Sequence, residues 1–231
     1  MIDGFEFPVE VIRTDRKRSA SIYLDGEGIK VRVPKGLSDS YVRDLIEKKS
    51  PWIKRKLRET KLAVSPRPKE FVSGETFSYL GRNCRLKVLR GNTSSLKLKG
   101  GYLEASISGS SKRQEVEIRS LLVNWYQKHA QERLEEKTHR YAKILQVKPN
   151  RISVKDYKSR WGSCSTTGDI SYNWRIVMAP HRIVDYVVVH ELCHLLEHNH
   201  SAIYWRHVER IIPDFQECRE WLKRNSEQLK I

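Results

Sequence analysis

Residues 187–196 read Val-Val-Val-His-Glu-Leu-Cys-His-Leu-Leu, and no other stretch restricts the fold so strongly. The apolar residues cover most sides of a helix, which places that helix in the interior. Two histidines and a glutamate on a buried helix are costly unless they are paired or bind a metal. His190 and His194 stand four apart, so they share a face, about 6 Å along the axis. Two imidazoles so placed can both reach one zinc at about 2 Å. Glu191 sits about 100° around from His190, beside the metal rather than on it. There it could accept a proton from a zinc-bound water.

A catalytic zinc commonly has three protein ligands and one open position. His200 is the leading candidate for the third. On a continuous helix it would point about 240° away from His194 and lie about 9 Å further on, so the helix must end first. Asn199 suits a left-handed C-terminal position, and Ser201 suits the N-cap of the next helix. His198 would still be helical and on the wrong face. Glu209, one helix later, is the rival ligand. Cys193 lies on a different face from the two histidines and reads as a small buried hydrophobe. Neutral imidazoles leave the metal its full charge, so attack of hydroxide on a carbonyl or phosphoryl centre is the expected chemistry. Zinc is the expected cofactor, with another divalent metal as the alternative.

The rest of the chain reads as α+β. Residues 1–110 form an amino-terminal, mainly antiparallel β region with one helical segment, and residues 111–231 form a helical catalytic domain. Strands are expected at 5–13, 19–24 and 29–33, with Asp25-Gly26-Glu27-Gly28 as a turn. Ser38 opens a helix to about Lys61, which Pro51 should restart as a first-position proline. Ser65-Pro66-Arg67-Pro68 reads as a linker. Further strands are expected at 76–80, 85–89, 95–98 and 102–108, and Leu96-Lys97-Leu98-Lys99 alternates as in a half-exposed antiparallel sheet. Ser111, with Gln114 in the capping-box position, opens a long helix to about Leu145. Its apolar face includes Ile118, Leu122, Trp125 and Tyr126. A strand at 151–155 and a turn-rich stretch at 159–174 follow. Three helices close the chain: one from near Pro180 to near His198, one over 201–210, and one from Pro213.

The net charge of +16 creates a field that attracts anions, so nucleic acids, nucleotides and acidic peptides are all candidate partners. A solvated basic surface accounts for it equally well; the stretches 13–18 and 54–58 could track a nucleic-acid backbone, but a solvated face is the default reading of both. The four cysteines contain no C-x-x-C pair, which excludes a cysteine zinc ribbon. No signal-like start and no stretch of bilayer length is present, so a cytoplasmic protein with no membrane partner is expected.

Four separated segments make a longer pattern: Arg160-Trp161-Gly162-Ser163-Cys164, Asn173-Trp174-Arg175, Val189-His190-Glu191-Leu192-Cys193-His194, and Asn199-His200-Ser201 with Trp205. Together with Arg16-Lys17-Arg18-Ser19 and Val33-Pro34, this resembles the YgjP-like metallopeptidase family over nearly the whole chain. Its H-E-x-x-H-x5-H arrangement is similar to that of the WLM and SprT-like proteases. The resemblance implies a zincin-like catalytic domain with His190, His194 and His200 as ligands and Glu191 as base. It implies a peptide substrate less firmly, because a nucleoside triphosphate (UTP) pyrophosphatase activity has also been assigned to the group. A third alternative is a nucleic-acid-associated protein with a structural zinc, which an intact Glu191 argues against.

In zincins an edge strand beside the active helix holds an extended peptide by main-chain hydrogen bonds. Residues 170–174 are a candidate for it, with a structural hairpin as the equal alternative. Arg160 and Asn173 are candidate substrate or transition-state contacts. A guanidinium suits an oxyanion or a phosphate, though Arg160 could equally pin the turn at Gly162. Trp161, Trp174 and Trp205 read as core or pocket wall.

Overall fold

A computed structural model describes residues 4–25, 28–62, 68–108 and 114–231. The turn at Gly26 and Glu27, the Ser65 to Arg67 part of the linker and the Ser111 cap lie outside the described residues. The chain divides into two compact units, Met1–Ser65 and Pro66–Ile231.

In the first unit, β1 (Val9–Thr14), β2 (Ser21–Asp25) and β3 (Gly28–Pro34) precede α1 (Asp39–Leu62). The sheet order is β1-β3-β2. Alternation along β3 turns Ile29, Val31 and Val33 inward, where they join Val42, Ile46, Ile53 and Leu57 of α1 in one core. Contrary to expectation, Pro51 does not restart the helix, which runs through it unbroken. Buried residues on both sides of Pro51 belong to the same core, and such packing outweighs the local cost of an interior proline.

The second unit begins with β4 (Thr76–Tyr79), β5 (Arg82–Arg90), β6 (Ser95–Lys99) and β7 (Tyr102–Ile107), in the order β4-β5-β7-β6. α2 (Gln114–Leu145) follows, and its Ile118, Leu122 and Tyr126 share a core with Leu86, Leu103 and Ala105 of that sheet. The Tyr126 hydroxyl donates to the Ser78 carbonyl at 2.7 Å. These four strands, grouped above with the amino-terminal region, therefore pack with the long helix, and the compact units part at residue 65 rather than 110. Next come β8 (Arg151–Lys155), β9 (Gly162–Cys164) and β10 (Asp169–Asn173), in the order β8-β10-β9. A 3-10 turn at Trp174–Met178 leads into α3 (His181–Cys193), α4 (Ala202–Ile211) and α5 (Phe215–Asn225).

The three sheets among the described residues repeat one connection. A strand is followed by a hairpin whose second strand pairs with the first in parallel: β1 with β3, β5 with β7, and β8 with β10. The other pairs are antiparallel, so the β region is mainly antiparallel with a parallel pair in each sheet.

Candidate metal centre

α3 is the buried helix the sequence demanded. Val187, Val188, Val189, Leu192 and Cys193 are all enclosed in the core of the second unit. The helix ends at Cys193, with His194 as its C-cap, several residues before the expected end near His198. The Cys193 carbonyl accepts from both Leu196 and Glu197 N–H groups at 3.0 Å, so a tight turn closes the helix directly after the second histidine. Asn199 takes no part as a left-handed residue: among the described residues the non-glycine positions with positive φ are Phe71, Leu80 and Gln146. The chain reverses all the same, and the Ser201 side chain caps α4 by accepting from Tyr204 N–H at 3.2 Å.

That reversal brings His200 back to the pair on α3. Nitrogens of His190, His194 and His200 all lie within 4.8 Å of one another. The Nε2 atoms of His190 and His200 are 3.2 Å apart, close to the separation of about 3.3 Å between two nitrogens on one tetrahedral zinc. The donor set and its spacing thus fit a divalent cation. Glu209 and His198 stand outside this cluster, on exposed positions. The far nitrogens are partly engaged: His194 Nδ1 faces the Glu197 carbonyl at 3.3 Å, and His190 Nδ1 lies 3.5 Å from the Tyr186 hydroxyl. Such contacts fix ring orientation in metal sites.

Two aromatic residues of α4 complete the surroundings: Trp205, read from the sequence as core or pocket wall, and Tyr204, which was not singled out. Tyr204 is fully buried, donates to the His190 carbonyl at 2.8 Å, and has ring contacts with all three histidines. Trp205 stacks on His200, with 5.5 Å between centroids, and on Phe215. Arg219 of α5 lies over Trp205 at 4.6 Å. The Ser201 cap was a usable signal for the first two, because it sets them in the first turn of α4. Nothing local marks Arg219.

Glu191 is only 5% exposed. Burial pushes its carboxyl up to about 8, and the nearby Arg160 guanidinium opposes that shift. Burial, with His194, His200 and Arg219, holds His190 down at about 3, so its ring is neutral as a metal ligand requires.

β9 runs past this helix. A Cβ placed on Gly162 would stand 2.5 Å from Glu191 Oε1, so glycine is what lets the strand and the carboxylate approach. β10, the candidate edge strand, is central and paired on both sides; the edge beside α3 belongs to β9. Asn173 is 4% exposed and spends its polar atoms on backbone. Its Nδ2 donates to the carbonyls of Tyr157 and Arg160, and its Oδ1 accepts from Arg175 N–H. Arg160 is exposed and stacks over the Tyr157 ring. Trp174 is fully buried, and Trp161 is half-buried against the core.

The mixed α+β architecture, with three histidines converging on and just after α3, is consistent with a zincin-like metallopeptidase fold. The YgjP-like metallopeptidase domain matches residues 18–225, and the chain belongs to that family of metal-dependent hydrolases. The solved structures similar over part of the chain include two metallopeptidase zymogens. One is the metallopeptidase zymogen abylysin of Pyrococcus abyssi, with 22% identity and a TM-score of 0.36, covering 38% of this chain and 90% of that one. The other is the metallopeptidase zymogen jannalysin of Methanocaldococcus jannaschii, with 20% identity and a TM-score of 0.36, covering 42% of this chain and 97% of that one. No curated protein matches. No helix among the described residues is long and apolar enough to cross a membrane.

Proposed function

We propose that the protein is a zinc-dependent peptidase, with His190, His194 and His200 holding the ion and Glu191 as general base. The observation that carries this is the convergence of three imidazole nitrogens within 4.8 Å beside a buried glutamate. A divalent cation held there supplies Lewis acidity toward a carbonyl oxygen. Glu191 takes the proton from the attacking water and delivers it to the leaving amine; a carboxylate with raised proton affinity suits both steps. The edge of β9 offers main-chain groups to an extended peptide, adding a strand beside α3. Arg160 serves as the contact to substrate carbonyl or carboxylate. Asn173 acts as a positioning residue, holding the two carbonyls that set the 157–160 segment. Four free thiols suit a reducing cytoplasm.

The test is a hydrolysis screen of the zinc-loaded protein against a mixed peptide library and nucleoside triphosphates, with Glu191→Gln beside it. Peptide cleavage should fall by about 10²–10⁴ in the variant, with zinc content unchanged. Hydrolysis of nucleotides alone would make the substrate a phosphoanhydride. Equal rates in variant and wild type would remove Glu191 from the chemistry.

A further inference from the structure

A cleft of about 750 Å³ is lined by the segment that carries Arg160 and Trp161, by Asn173 and Arg175, and by residues of α5 and the chain that follows it. Trp161 stands directly before Gly162, the residue packed on Glu191. A peptide whose scissile bond lies at Glu191 therefore has neighbouring side chains within reach of this cleft, at about 3.3 Å per extended residue.

The lining is charged in a biased way. Lys158, Arg160, Arg175, Lys223 and Lys230 face it, against the acids Asp156 and Glu227. Both acids are already paired, Asp156 with Arg175 and Glu227 with Lys230. Lys223 pairs with Glu220, which does not line the cleft. Lys158 and Arg160 form no ion pair among the described residues. Trp161 and Leu222 supply an apolar wall. An apolar wall with cations at its rim suits an aliphatic stem ending in a carboxylate.

We propose that this cleft is a specificity subsite for acidic side chains, so that the enzyme selects peptides carrying Asp or Glu within about three residues of the cleaved bond. This rests on the peptidase reading for its place in catalysis, but not for its binding chemistry. The charge on the whole chain is a competing source of attraction, so the controls must hold net charge fixed.

The experiment measures binding of a fluorescein-labelled, Glu-rich peptide and its Gln-for-Glu counterpart by anisotropy. The protein is zinc-loaded Glu191→Gln, repeated with the metal-free wild type, at about 0.15 M salt, where long-range attraction is screened. The acidic peptide should bind at least about tenfold tighter, a difference of about 1.4 kcal/mol. Lys158→Glu with Lys223→Glu should abolish that preference. Lys97→Glu with Lys99→Glu, on the exposed face of β6, changes net charge equally and should preserve it. Equal binding of the two peptides, or equal loss in both pairs of substitutions, overturns the proposal. A nucleoside triphosphate that displaces the acidic peptide at concentrations below the peptide's own Kd also overturns it, by reassigning the cleft to phosphate. Tight, Lys158-dependent binding without cleavage of any peptide by the zinc-loaded wild type would leave the subsite standing and sink the peptidase reading instead.

Discussion

Gly162 and Glu191 share a contact with no room for a side chain: a methyl group at 162 would stand 2.5 Å from Oε1 and 2.6 Å from Cγ of the glutamate. Gly162→Ala must therefore push the glutamate aside. Since a 1 Å misplacement can cost about a hundredfold, peptide hydrolysis should fall by roughly that factor. Zinc content should not change, because the three histidines lie outside the clash. Steady-state kinetics beside metal analysis checks this, and an alanine variant at full activity would contradict it.

His200 and Glu209 make opposite predictions. His200 sits 3.2 Å from His190, nitrogen to nitrogen, while Glu209 lies on an exposed face of α4. His200→Ala should weaken zinc binding by more than the roughly 10–100-fold that loss of an outer hydrogen-bond partner costs. Glu209→Ala should leave affinity unchanged. Competition titration against a chromophoric chelator separates them. The reverse order would transfer the ligand role to the carboxylate.

Asn173 holds two carbonyls, those of Tyr157 and Arg160, with one amide group. Asn173→Ala leaves buried groups without partners and should cost about 1–3 kcal/mol in denaturant unfolding. Asn173→Asp keeps the acceptor for Arg175 N–H but loses both donations, so it should be nearly as damaging. An aspartate variant as stable as wild type would show that the donations are dispensable.

The metal-free protein should have a distinctive pH profile. Glu191 is raised on folding from 4.5 to about 8 by burial, against the pull of Arg160. The folded state therefore holds that proton more tightly. The stability this gives is complete below the unfolded value and is lost as pH rises toward 8. His190 is depressed from 6.5 to about 3, by burial first and then by His194, His200 and Arg219. Its effect runs the other way and is spent by pH 6.5. Between about pH 6.5 and 8 the glutamate acts without that opposition, so Tm in chelator should fall. Zinc should flatten the decline, because a cation beside the carboxylate favours its charged form. A flat or rising Tm in chelator across that window would contradict the burial of Glu191.

The helix, its two histidines and its glutamate were legible because all lie within one short window, and their spacing alone puts them on adjoining faces. The turn that returns His200 was legible only in outline. Its need follows from helical geometry, yet the helix ends at Cys193 rather than beyond it, and Asn199 does not reverse the chain by a left-handed conformation. The parallel pairing of β8 with β10 had no sequence signal, because alternation looks the same whichever way a neighbour runs. The Gly162–Glu191 contact and the stack of Arg219 on Trp205 join segments far apart in sequence, which no local pattern encodes.

The three candidate ligands come from only eleven consecutive positions, His190 to His200, so closing that chelate restricts a very short loop. The proposed base is different, because its pocket needs Gly162 from β9, 29 residues earlier in the chain. Short closures are fast, whereas contacts between distant segments wait for the chain to organise. During refolding, ion capture should thus precede recovery of hydrolysis, and a nascent chain could be metallated before it is able to cut anything.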